Sequence, residues 1–273
     1  MSKKAKGNKP ATKAKGSLVD LKQLDRALAN ASQQLIEKDY KGVIFTVQRV
    51  LRSAPPASRQ RVDAFRYLGV AQVMQKNAIE AYEAFTEGVK LAPDDAELWF
   101  NRGLTSRYTS RIGQSLQDFE RAAALPDSAP FQDKLEEELS FSRELVTKSL
   151  ESRGHGFTLE QLLVQESLFQ QGVKYQGKEQ WSQAEQVFRQ LIEMGDGLPQ
   201  PWLNLGMSLI MQKRYDEGEA ALKRALEIDP NYTYARDNLE HLPEIRRTGV
   251  IKSGEVRDPF KAAGIKTGIS FYQ

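Results

Sequence analysis

The chain repeats itself at a fixed interval, and that interval limits what it can become. Phe65 and Trp99 are 34 positions apart, as are Gly69 and Gly103, and Phe85 and Phe119. Further along, the same step links Leu168 to Trp202, Gly172 to Gly206, Trp181 to Tyr215 and Phe188 to Leu222. Self-similarity at such a period belongs to arrays of supersecondary units, each too small to bury its apolar face alone. Within each unit apolar residues recur at three- and four-residue steps in two stretches separated by a short polar turn, which predicts two amphipathic helices. Gly69, Gly103, Gly172 and Gly206 fall in mid-helix, where glycine costs about 1 kcal/mol relative to alanine. A cost incurred repeatedly at one phase predicts close helix–helix approach. Small residues at Ala81, Ala122, Ala184, Gly218 and Ala225 would face the same contacts. Phe85, Phe119 and Phe188 fill the space between, each worth roughly 2–3 kcal/mol when buried.

The order of residue types gives the unit a family likeness. An aromatic or Leu, then Leu-Gly, an aromatic, Ala, Phe or Tyr, Ala and a closing Pro resembles the tetratricopeptide repeat (TPR). The clearest copies are residues 62–95 and 199–232, the latter reading Trp202, Leu205, Gly206, Tyr215, Ala225, Leu226 and Pro230. Residues 96–129 and 165–198 are good copies, and 24–57 is a weaker one carried by Tyr40, Val43, Val47, Val50 and Pro55. The resemblance covers most of residues 24–240 and implies an all-α fold, a right-handed α-solenoid of antiparallel helix pairs.

Four segments follow along the chain. Residues 1–18 form a Lys/Ala/Gly stretch without apolar periodicity, expected to be disordered. Residues 19–152 hold three repeats and a long capping helix. Residues 157–242 hold two more repeats and a capping helix over Tyr234–Leu242. Residues 243–273 are expected to be a flexible tail, whose apolar end (Ile269, Phe271, Tyr272) could instead dock. Gly103 and Gly172 are 69 apart, one more than two periods, so a whole slot lies at 130–164. Its glycine position falls at Glu138, and a glutamate cannot enter so tight a contact. One long helix from Phe131 to about Ser152 is therefore expected to cover the end of the third unit, as terminal caps do. Thr158 with Gln161 predicts a capping box for the helix that follows.

The resemblance also implies a binding surface. In the TPR family the second, fifth, ninth, twelfth and thirteenth positions of each unit face a concave groove. Carried onto this chain they include Arg66, Val70, Val73 and Met74, then Phe100, Leu104, Arg107 and Tyr108. The later array gives Phe169 and Val173, then Leu203, Met207, Ile210 and Met211. Most are apolar where the core does not require it, and flexible methionines suit adaptable surfaces. An apolar strip of that size marks an interaction site, here expected to take an amphipathic helix or extended peptide of another protein. The Lys, Asn, Asn, Lys, Arg clamp by which chaperone-binding members grip acidic tails is not reproduced. The first register offers Leu28, Ser32, Tyr67, Glu97 and Asn101, and the next begins with Arg66 and Val70.

Other classes find little material. The chain has no cysteine and two histidines, His155 and His241, 86 positions apart, so no metal, cofactor or catalytic group is expected. Phosphate-loop, dinucleotide and nucleophile-elbow motifs are missing. No apolar run reaches the roughly 20 residues of a membrane span, and no signal peptide is evident, so a cytoplasmic location is expected. The net charge is +3, and six lysines (Lys3, Lys4, Lys6, Lys9, Lys13, Lys15) lie in the first 16 residues; setting them aside leaves −3. An alternative reading follows, a nucleic-acid- or ribosome-associated factor tethered by that basic stretch.

Overall fold

The computed structural model describes residues 20–249, which are helical throughout apart from short connections. Twelve α-helices follow in order: α1 (Leu21–Ile36), α2 (Tyr40–Ser53), α3 (Arg59–Met74), α4 (Ala78–Leu91), α5 (Ala96–Tyr108), α6 (Ile112–Ala123), α7 (Gln132–Glu151), α8 (Leu159–Gly177), α9 (Trp181–Glu193), α10 (Pro199–Met211), α11 (Tyr215–Ile228) and α12 (Thr233–Thr248). A 3-10 turn, Pro126–Phe131, leads into α7. Five antiparallel pairs, α1–α2, α3–α4, α5–α6, α8–α9 and α10–α11, stack in an all-α solenoid. The charged stretch at residues 1–18 and the tail beyond residue 249 lie outside the described residues, as do the docking and tethering expectations attached to them.

The phased glycines explain how each pair closes. A Cβ added at Gly69 would stand 2.5 Å from Cζ of Phe85; at Gly103, 2.7 Å from Cε1 of Phe119; at Gly172, 2.6 Å from Cζ of Phe188. In each pair the ring on the second helix lies against bare backbone of the first, and all three phenylalanines are fully buried. The turn between the helices is equally regular. Lys38, Lys76, Ser110, Glu179 and Lys213 all take positive φ, between 56° and 64°. After each, the next backbone N–H donates five residues back: Asp39 to Gln34, Asn77 to Gln72, Arg111 to Ser106, Gln180 to Tyr175 and Arg214 to Leu209. The left-handed residue itself donates three back, completing a Schellman closure of the helix end. Each pair is thus tied by the same reversal, without a glycine at its left-handed position.

Where the repeat lapses, the structure departs from expectation. The long helix does form, as α7, and packs on α6. As expected, Glu138 makes a polar contact between helices and not a close-packed one of the glycine kind. It is half-buried on the inner side, where it accepts from Arg107 Nη1 at 2.6 Å. The frame of residues 96–129 therefore continues without slippage into 130, and α7 stands as the first helix of a fourth repeat whose second helix is absent. The one-residue excess enters afterwards, in the break around Gly154 and Gly156, both at positive φ.

The two arrays share a core through α8. Leu162 of α8 is fully buried in a cluster with Leu135, Leu139 and Val146 of α7 and Leu116 and Phe119 of α6. Gly113 permits the approach, since a Cβ there would meet Leu159, Leu162 and Leu163 at 3.3 Å each. The carboxylate of Glu166 then accepts from the N–H groups of Gly113 (2.7 Å) and Gln114 (3.2 Å), capping α6 from another helix. The capping box of Thr158 and Gln161 starts α8.

The terminal cap runs further than the periodicity indicates. It was expected to end at Leu242, but α12 continues to Thr248 with Pro243 inside it. Pro243 cannot donate to the carbonyl of Leu239. Tertiary contacts on both sides offset that loss. Leu242 is buried, Ile245 packs on the same cluster, and Arg246 reaches Asp216 and Glu219, each at 2.7 Å.

Candidate functional site

The first helices of successive repeats line the inner wall, and between α3, α5 and α7 that wall is hollow. A cavity of about 540 Å³ opens there. Val70 and Val73 of α3, Phe85 of α4, Phe100 and Leu104 of α5, and Pro130 and Phe131 before α7 form its apolar surface. The Phe100 ring lies 5.5 Å from Phe119 and 5.1 Å from Phe131, centroid to centroid. Phe100 is therefore anchored in the core while one face remains available to the cavity.

Charge is concentrated at the rim. Arg66 is held by Asp63 (2.7 Å), by Asp95 and by Glu97 (3.3 Å). Asp95 also caps α5 by accepting from Leu98 N–H at 3.0 Å, and Asp127 accepts from Ala96 N–H at 3.2 Å. Acids thus gather where the N-terminus of α5 favours negative charge. Burial nevertheless pushes the Glu97 carboxyl above its ordinary value; Arg66 opposes the shift, and Asp95, Asp127 and Asp63 add to it. On the far side Lys134 Nζ sits 5.8 Å from the Phe100 ring centroid. Burial lowers its pKa, against the pull of Glu138 and Glu137.

Of the residues expected to face a groove, the structure brings Arg66, Val70, Val73, Phe100 and Leu104 together around this one cavity. Met74 lies exposed at the end of α3. Arg107 is engaged by α7, paired with Glu138 and stacked 4.9 Å from the Phe141 ring. Tyr108 beside it is half-buried, and burial raises its hydroxyl pKa. In the second array, Leu203 and Ile210 are buried in a cluster with Leu222, Ala225 and Leu242, as Phe100 and Leu104 are in the cluster of the first array. Gly218 of α11 lies against Ile210, and Leu242 of α12, which packs on α11, completes that cluster. Phe169 is edge-on to Phe188 at 6.0 Å, Val173 packs on the same cluster, and Met207 rests on the terminal core. Met211 is half-buried.

Asp95, Asp127, Phe131 and Lys134 were not singled out from the sequence. A signal for two of them existed. Extending the 96–129 frame by one more period puts Phe131 and Lys134 at the second and fifth positions of the next unit, and Glu138 and Phe141 at the ninth and twelfth. Reading the slot as a cap hid that register.

The described residues hold no group of three or more His, Cys, Asp or Glu placed to bind a metal ion. None of their helices is long and apolar enough to cross a membrane.

Residues 199–232 match the family model of the tetratricopeptide repeat. No curated protein matches the chain. Among solved structures, the chain is similar to MamA at 15% identity, with 78% of this chain and 96% of that one covered and a TM-score of 0.36. The TPR2AB domain of yeast Sti1, in a pHSP90 complex, matches at 14% identity over 82% of this chain and 84% of that one, with a TM-score of 0.39. YrrB, described as having an unusual peptide-binding site, matches at 14% identity over 81% and 97%, with a TM-score of 0.35.

Proposed function

We propose that this chain of tetratricopeptide repeats is a non-catalytic scaffold that holds a peptide or helix of another protein between α3, α5 and α7. Stacked helical repeats present extended concave surfaces to partners. One observation carries the reading here: an open cavity of about 540 Å³ with apolar walls and a charged rim. Water in contact with Val70, Val73, Leu104 and Phe131 would be released by an apolar side chain, at roughly 25 cal/mol per Å² covered. The rim supplies the few polar groups that fix orientation in such sites.

A photo-crosslinking residue placed at Val73 or Lys134 tests the reading. It should form adducts with a partner that the same residue at Glu87, on the outer side of α4, does not form. Val73→Glu and Met74→Glu should each abolish the adducts at Lys134 while shifting the melting temperature by less than about 4 °C. Equal labelling from Glu87, or adducts unaffected by both substitutions, would move the binding surface elsewhere.

A further inference from the structure

The rim of the cavity is unequally charged, and this says what kind of peptide fits it. Among the charged residues that line the cavity, Asp95, Glu97 and Asp127 face Arg66 and Lys134, leaving one negative charge in excess, while Asp63 beside them is shared between Arg59 and Arg66. Arg66 is already committed to three of these carboxylates, so it has little to offer an incoming acid. Asp95 and Asp127 are occupied in part with the N-terminus of α5. Glu97 is placed differently. Its side chain is 54% exposed, and its contact with Arg66 is the longest of the three at 3.3 Å. It therefore has both the room and the surplus charge to receive a cation from outside.

We propose that the cavity selects a linear peptide segment carrying an aliphatic or aromatic side chain next to a lysine or arginine. The apolar side chain enters between Val73, Leu104 and Phe131, and the cation meets Glu97 at the edge. Such a segment would be the reverse of an acidic tail, which the excess of carboxylates repels. Charge complementarity of this kind sets partner choice more than raw affinity. This rests on the groove reading above and adds the chemistry of the occupant.

The test uses the full chain and a random 12-residue peptide library displayed on phage, with clones retained only if Val73→Glu abolishes their binding. The retained clones should be enriched over the unselected library in Lys or Arg within three positions of an apolar residue. Synthetic peptides from them should bind about tenfold more weakly to Glu97→Lys, and more weakly as salt rises. Glu97→Gln should give an intermediate loss with an unchanged melting curve, separating charge from folding. Retained clones that are acidic or neutral, or indifferent to Glu97→Lys, would overturn the proposal while leaving the groove intact. Finding no Val73-dependent clone would count against the groove itself and the proposal with it. Clones that bind only after residues 250–273 are deleted would show that the chain's own end is the occupant, and the proposal would fall.

Discussion

Gly103 and Phe119 show at the scale of single residues why the period is so strict. The ring of Phe119 is fully buried and lies where a Cβ of residue 103 would be. It cannot retreat without displacing the rest of the α5–α6 contact. Below it, Asp118 is equally buried, accepting from Arg102 Nε (3.0 Å), Ser106 Oγ (3.0 Å) and Gln114 Nε2 (2.9 Å). Gly177, at the end of α8, has no heavy atom within 4 Å of where a Cβ would stand. Two glycines of the same solenoid should therefore respond oppositely to alanine. Gly103→Ala should cost about 1–3 kcal/mol through overpacking, whereas Gly177→Ala should gain up to about 1 kcal/mol from helix propensity. Urea denaturation of both variants checks the sign. The mid-helix glycines were legible in the sequence because their cost is local and repeated. The left-handed turn residues were not, because Lys38, Lys76, Ser110, Glu179 and Lys213 share no residue type that demands positive φ. That conformation is imposed by the pair of helices on either side.

Among the elements, α8 carries the least regular duty, since it opens the second array and also closes the first. Its Glu166 is buried against the start of α6, with Arg111 and Arg153 facing it and Gln165 beside it on the same helix. Burial raises its carboxyl from 4.5 to about 7, against the opposing pull of the Gly113 and Gln114 N–H groups and of the two arginines. A folded-state pKa raised in this way means that the native chain binds the proton more tightly than the unfolded one. The resulting stabilisation is complete below about pH 4.5 and is lost as pH rises through about 7. Protection of the Gly113 and Gln114 amides against hydrogen exchange, corrected for the intrinsic rate, should fall between about pH 4.5 and 7, by an amount of order 1–3 kcal/mol. Glu166→Gln should flatten that dependence. A wild-type profile equally flat would show that the carboxyl is ionised throughout. Nothing in the sequence marks Glu166 as an N-cap, because the helix it caps lies 52 residues away. The extension of α12 past Pro243 was hidden for a similar reason: proline signals an end locally, and Asp216 and Glu219 on α11 overrule it.

For the molecule as a whole, the two arrays are joined by a core that is real but narrow. Leu162, with Phe157 and Leu159 packed near it, is the main apolar link from α8 into the cluster beneath α6 and α7. Repeat arrays gain stability from neighbour to neighbour, so a weakened interface divides them. Leu162→Ala should cost about 2–5 kcal/mol at that junction. It should also turn one unfolding transition into two, with residues 21–151 and 159–248 separable by hydrogen exchange. A single transition in the variant would mean that polar contacts such as Glu166 with Gly113 suffice to couple the arrays. The proposed binding surface lies in the first array, next to that junction. A cavity lies on the inner wall between α3, α5 and α7, while α12 packs on α11 at the end of the second array.

The sequence by itself determined the unit, its length and its number of clear copies, because glycine, phenylalanine and alanine at a locked phase act through contacts inside one helix pair. It also placed Arg66, Val70, Val73, Phe100 and Leu104 on the inner side, since a helix of known register has a known face. Tertiary structure alone decided which inner faces remain open. Leu203 and Phe100 carry the same register and are each 7% exposed, yet Phe100 borders the cavity between α3, α5 and α7 whereas Leu203 packs in a cluster completed by Leu242 of α12. The acidic excess at the cavity arises likewise from Asp95, Glu97 and Asp127, which two successive repeats bring to the start of α5. Period describes what each unit does to its neighbour, whereas charge and access depend on which ends meet in space.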